Sequence, residues 1–207
     1  MDQFAKRKDV RVTQIVSRTS FIASHSDIQT RKIPLRTDRP LRRLLTDGLH
    51  PLFMKHPTDV WYYPKGYAPR FSLPDAPVVG TMHDVIVQHY ADYYPETRSR
   101  LAFRYWISSI RRSLRQFTHV LTVSEHAAEQ LKQFCDRYRI DPPKIDVTYE
   151  GSVWENYRSM RFKKRDRVVH LCSQAPHKGT RRLLALWETL QSQGRDLPQL
   201  MMIGELD

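Results

Sequence analysis

The sequence predicts an α/β protein built on parallel sheets, and three features of the 207-residue chain predict it. Strand-like runs alternate with helix-like ones. Several of the strands are apolar on both faces, as strands covered by helices on each side must be. The apolar runs also stop on polar residues, at the strand ends where open α/β sheets bind their ligands.

The elements follow in chain order. Val10 to Val16 ("VRVTQIV") alternates like a strand, and Asp59 to Pro64 and Ala76 to Met82 are β-branched and aromatic runs. The segment Arg98 to Arg115 is helical, with Leu101, Tyr105, Ile110 and Leu114 at helical spacing and Arg104, Arg111, Arg112 and Arg115 between them. His119 to Ser124 is the next strand. The helix after it, "EHAAEQLKQFC", carries Ala127 or Ala128, Leu131, and Phe134 or Cys135 as its apolar stripe. Strands are expected again at Lys144 to Gly151, Arg167 to Ser173 and Gln199 to Gly204. A helix from Thr180 to about Gln193, with Leu183, Leu184, Trp187 and Leu190 facing inward, ends at Gly194.

Composition narrows the class. With 40% hydrophobic residues, 13 Pro and 7 Gly, the chain is long enough to bury a core. Cys135 and Cys172 form no C-x-x-C pair, which predicts reduced thiols in a cytoplasmic protein and argues against a zinc or redox motif. No run approaches the roughly 18 apolar residues of a spanning helix, and "MDQFAKRKDV" lacks the apolar stretch of a signal peptide. Lys and Arg number 34 against 22 Asp and Glu, a net charge of +12. The excess gathers at Arg31 to Arg43, Arg98 to Arg115 and Arg161 to Arg167. These are solvated faces and a linker, or the footprint of a polyanionic or membrane-surface partner.

The strand ends carry the chemistry. "PVVGTMHDVI" stops on His83 and Asp84, and Ser124, Glu150-Gly151 and Ser173 follow other apolar strands. In "CSQAPHKGTRRLLALWETL", Lys178 and Gly179 precede Thr180, a suitable N-cap. Free backbone N–H groups, the helix dipole and a lysine make a phosphate site on physical grounds. No Gly-rich run precedes Lys178, so it is not a P-loop. The alternative is a surface lysine beside a helix cap.

The segments "DVWYYPKGYAP", "APVVGTMHD", "THVLTVSEHAAEQL", "PPKIDVTYEGS", "HLCSQAPHKGTRRLLALWETL" and "PQLMMIG" together resemble glycosyltransferase family 4 in order and spacing, from Thr58 to Gly204. The resemblance implies Rossmann-like domains of the GT-B fold: an acceptor-side domain over 1–152, a basic linker over 153–166, and the beginning of a donor-binding domain over 167–207. It implies a retaining transferase that moves a sugar from a nucleotide-sugar donor to a glycan or lipid-linked acceptor, at the cytoplasmic face of a membrane. His83 would face the transferred sugar, and Lys178 would stabilise the departing nucleoside diphosphate. Ser124, Gly151, Ser173, Gly179 and Thr180 would line the donor, and Asp84 would sit at the acceptor loop. A lysine in this role implies no metal cofactor; His83 with His89 fixes no ligand geometry.

The sequence also departs from the family. Cys172 stands where many members carry Arg, and Tyr149-Glu150-Gly151 replaces a loop that often reads Pro-Asn-Gly. The family's opening strand and glycine-rich loop have no counterpart before Val10, and its later pair of donor-gripping glutamates is expected beyond Gly204. The expectation is a chain that is incomplete or inactive by itself. A different class of function, a non-catalytic basic module for RNA or an anionic membrane, draws on the charge and the Arg-rich helix; no RNA- or DNA-reading motif supports the nucleic-acid form.

Overall fold

Parallel strands need crossover connections, and helices supply three of those among the described residues. The computed structural model describes residues 8–17, 28–34, 38–53, 58–71, 75–151 and 166–204. The chain divides into two units, Met1–Glu150 and Gly151–Asp207. The basic linker expected over 153–166 lies, apart from Asp166, outside the described residues.

The first unit opens with a parallel pair, β1 (Thr13–Ser17) and β2 (Gln29–Ile33), in the register Thr13↔Gln29. Helix α1 (Pro40–Leu49) follows, with Pro40 in the first turn, where its missing N–H costs nothing. The main sheet is β3 (Trp61–Tyr63), β4 (Val78–Thr81), β5 (His119–Thr122) and β6 (Lys144–Val147), all parallel and adjacent in that order. Helix α2 (Ile86–Tyr93) and helix α3 (Arg100–Gln116) connect β4 to β5, and helix α4 (Glu125–Tyr138) connects β5 to β6.

Register places Gly80, Val120 and Ile145 on one face of this sheet, and that face is the core. Val78 and Val120 pack with Ile110 and Leu114 of α3 and with Leu131, Phe134 and Cys135 of α4. Leu114 and Leu131 are fully buried, each contributing about 2 kcal/mol of hydrophobic stabilisation. Helix α4 carries the predicted stripe, all of it buried, and ends on Arg139 in the left-handed region at φ 51°, where Ile140 N–H donates to the Cys135 carbonyl. Burial pushes the Cys135 thiol up to about 11, so it stays protonated at neutral pH. Both cysteines are free and buried.

A polar network ties α2 to α4. Arg137 donates to both carboxylate oxygens of Asp92, at 2.6 and 2.9 Å, and Gln88 donates to Asp92 Oδ1 at 2.8 Å. The Tyr138 hydroxyl donates to Gln88 Oε1.

The observed elements correct several expectations. The first strand is Thr13–Ser17, shifted from Val10 to Val16. Leu101 is not part of the buried stripe of α3: it is 77% exposed, and the buried positions are Phe103, Ile110, Ser113 and Leu114. Arg111 does not join the solvent face either, since its guanidinium lies 4.6 Å over the Tyr138 ring. Strand β2, helix α1 and helix α2 have no counterpart in the predicted elements. β2 reads Gln-Thr-Arg-Lys-Ile, a charged run that only pairing with β1 makes a strand.

The second unit contains parallel β7 (Arg167–Cys172) and β8 (Gln199–Gly204), joined by helix α5 (Thr180–Ser192). Leu183, Leu184, Trp187 and Leu190 are half-buried rather than buried. Val169 and Leu171 of β7 and Ile203 of β8 are exposed.

Candidate functional site

Because β3 to β6 run parallel, their carboxyl ends lie along one edge, and the polar residues of the first unit collect there. His83 and Asp84 follow β4, Ser124 follows β5, and Glu150 follows β6. The main-chain ladder continues past the strands: Met82 N–H donates to the Leu121 carbonyl, and Thr148 N–H donates to the Thr122 carbonyl at 2.7 Å. The imidazole and carboxylate of the flanking strands then meet across the end of β5, with His83 Nε2 3.5 Å from Glu150 Oε1. Both side chains are exposed, and the contact is an ion pair only when the imidazole is protonated.

Two of the predicted residues have local structural work as well. Asp84 Oδ1 accepts the Ile86 N–H at 3.0 Å, satisfying one of the free amides of α2. Ser124 Oγ accepts the Ala127 N–H at 3.1 Å and so caps α4. That bond leaves the serine's own proton available for donation. Helices α3 and α4 each start at this edge, because each runs back against the strand that follows it. Arg98 and Arg100 therefore stand at the same edge as His83.

The loop after β3 is pressed against this edge. Gly66 has φ +68°, and a Cβ there would lie 2.9 Å from the Thr81 carbonyl oxygen and 3.0 Å from Met82 Cγ. Only glycine meets both conditions without strain. Next to it, the Tyr67 hydroxyl is pushed above its ordinary pKa, first by burial and then by the negative charge of Asp84. On the neighbouring strand the Tyr62 hydroxyl shares a 2.7 Å hydrogen bond with Thr81 Oγ1.

In the second unit, residues Ser173 to Thr180 form one hydrogen-bonded turn. Gly179, in the left-handed region at φ +67°, occupies the cap position, and Thr180 is the first residue of α5. Thr180 is therefore not the N-cap that the sequence suggested. Its hydroxyl is turned inward instead, donating to the Ser173 carbonyl at 3.2 Å and accepting the Ser173 N–H at 3.3 Å. His170 Nε2 lies 3.0 Å from the same oxygen; with the hydroxyl proton committed to Ser173, the imidazole is the donor. The Ser173 hydroxyl accepts the Ala175 N–H at 3.2 Å.

This internal bracing leaves the outer side of the turn open. Among the described residues, and apart from its chain neighbours, no atom lies within 4 Å of where a Cβ of Gly179 would stand. Lys178, Arg181 and Arg182 are exposed around the start of α5, whose first turn contains no acidic residue. Gly151 is the first residue of the second unit. Cys172, in the place of the family's arginine, is buried against Gly204, where a Cβ would lie 3.2 Å from its sulfur.

His89 faces Tyr93 and Tyr94 rather than His83, with ring centroids 4.9 and 5.7 Å away. Among the described residues, no group of three or more His, Cys, Asp or Glu is placed to hold a metal ion. No helix among them is long and apolar enough to cross a membrane. Sequence reasoning missed the pairing of Glu150 with His83 and the placement of Tyr67. The signals were a glutamate directly after an apolar strand and the Gly66-Tyr67 step after β3.

Comparison with known proteins agrees with this architecture. The model of glycosyltransferase family 4 matches residues 5–152, well over half of the chain and nearly all of the first unit. No curated protein and no solved structure matches the chain. The four-stranded parallel sheet with its crossover helices is that of a Rossmann-like amino-terminal domain of the GT-B type. The match over residues 5–152 shows that the chain belongs to glycosyltransferase family 4.

Proposed function

We propose that this chain takes part in transfer of a sugar from a nucleotide-sugar donor to a glycan or lipid-linked acceptor, with retention at the anomeric carbon. The observation that carries the reading is the start of α5, where Lys178, Arg181 and Arg182 are exposed, the first turn holds no acidic residue and a left-handed Gly179 takes the cap position with no side-chain cap. An anion of phosphate size meets N–H groups, a favourable helix dipole and a full positive charge there. When the bond from the anomeric carbon to the phosphate oxygen breaks, its electron pair stays on the nucleoside diphosphate. Lys178 stabilises that growing charge, a role that needs no divalent metal.

In this reading Ser173 and Thr180 hold the turn in shape, and Gly179 lets the diphosphate approach the main chain. Ser124 and Gly151 contribute to the donor side. His83 faces the transferred sugar with Glu150 orienting its ring, and Asp84 lies toward the acceptor. The protein acts in the cytoplasm, at the inner face of the membrane, where the exposed arginines of α3 meet anionic lipid.

Calorimetric titration with UDP-, GDP- and dTDP-sugars tests the donor site. One nucleotide should bind selectively, equally well with a chelator present, and Lys178→Ala should weaken it by about 10- to 100-fold, the worth of a charged hydrogen bond. Binding that ignores Lys178, or no binding to any donor, would overturn the reading.

A further inference from the structure

The carboxyl edge of the main sheet carries an aromatic feature that the donor chemistry does not use. The loop holding Gly66 is anchored by its next two residues: Ala68 N–H donates to Ser113 Oγ at 2.9 Å, Ala68 packs on the core cluster, and Pro69 is fully buried. Tyr67 is outside that core and is 36% exposed. Its ring lies 5.4 Å from Trp106, tilted by 53°; Trp106 meets Tyr105 at 5.2 Å, and the Arg70 guanidinium lies 5.3 Å over Tyr105. Asp84 and Arg98 are both near enough for their charges to act on the Tyr67 hydroxyl.

We propose that Tyr67 and Trp106, flanked by Asp84 and Arg98, form a subsite for a sugar ring of the acceptor, beside His83. The proposal rests on the glycosyltransferase reading and adds to it the chemical class of what the acceptor presents at this edge. A pyranose has an apolar C–H face, which an aromatic surface covers, and a rim of hydroxyls, each both donor and acceptor. Asp84 accepts from such hydroxyls and Arg98 donates to them. A lipid tail would leave both charges unpartnered, and a diphosphate would meet the Asp84 carboxylate as a like charge. The mixed-sign rim therefore selects a sugar over either. The Gly66 contact with Thr81 and Met82 fixes the distance, since it holds the tyrosine loop against the strand that ends on His83.

The test is binding of the full chain to an array of neutral and acidic oligosaccharides, with tryptophan fluorescence of each hit followed in solution. At least one glycan should bind and perturb the fluorescence. Tyr67→Ala should weaken it by about tenfold or more, as loss of an aromatic anchor does, while Tyr67→Phe retains most of the affinity. Arg98→Gln, at an exposed side chain outside the packed loop, should also weaken binding, which keeps the test decisive if Tyr67→Ala disturbs the fold. No glycan bound, or equal affinity in the wild-type, Tyr67→Ala and Arg98→Gln chains, overturns the subsite. If donor binding through Lys178 persists in that case, only the subsite falls; if donor binding is absent too, the underlying reading falls with it.

Discussion

Gly80 is the point at which strand β4, and with it the position of His83, is most sensitive to a single methyl group. Its φ lies outside the left-handed region, so alanine is allowed by the backbone, and the lost freedom of the unfolded chain would favour Gly80→Ala by roughly 0.5–1 kcal/mol. Packing opposes it. The added Cβ would lie below 3.0 Å from Cε2 and Cζ of Phe117 and 3.0 Å from its Cδ2. Phe117 has nowhere to go: it is buried in the cluster formed by Val78, Ile110, Leu114 and Val120. Overpacking costs about 1–3 kcal/mol, and contacts this short place Gly80→Ala in the upper half of that range, so the net effect is destabilising by about 1–2.5 kcal/mol. Because the chain has two units, one global midpoint would mix them. Hydrogen exchange of the β4 and β5 amides in urea reports on this sheet alone. Phe117→Leu removes Cε2 and Cζ, the two atoms that the methyl meets most closely, so the double variant should recover at least about 1 kcal/mol relative to additivity. A Gly80→Ala protein as stable as the parent, or strictly additive effects, would refute the packing argument.

Two further predictions follow from charge. Hydrogen bonds from Arg137 and Gln88 hold the Asp92 carboxyl below the usual carboxylate range, against the opposing effect of burial. A lowered native pKa means the stabilisation is complete above the unfolded value of about 4 and is lost as pH falls through the native one. Since half of Arg137 is exposed, Asp92→Asn should cost about 0.5–1 kcal/mol at pH 7; the difference from wild type should be constant above the unfolded value and shrink as pH falls below it, and a gap unchanged throughout acid titration would count against the pairing. On α3, Arg100, Arg104, Arg112 and Arg115 are exposed and the helix holds no acidic residue. Sedimentation with phosphatidylglycerol vesicles, but not phosphatidylcholine ones, should fall by about 1 kcal/mol per arginine changed to glutamine. Indifference to lipid charge would remove the membrane contact from the proposed function.

How much of this was legible beforehand depended on how local the determining interaction is. The stripe of α4 is contained in its own spacing, which calls for Ala127 or Ala128, Leu131, and Phe134 or Cys135; Leu131 and both members of each pair are buried. β2 is the opposite case, a charged pentapeptide whose strand conformation comes from its partner β1. Leu101 misled because periodicity identifies a face without saying where the sheet ends, and its position at the start of α3 lies beyond the buried stretch. Thr180 misled because a threonine before a helix fits two hydrogen-bond patterns, and a left-handed Gly179 selects the inward one.

By itself the sequence determined the α/β class, the parallel order of apolar strands, the family, and the rule that polar residues end each strand. The class and the strand ends depend on composition and local spacing, and the family on the order of such segments along the chain. Only the tertiary structure brought His83 to Glu150 and the Tyr67 loop to the end of β4. The first pair lies on strands separated by β5, and parallel register decides which of their ends meet. The second depends on a glycine whose missing side chain lets one loop close against the next strand.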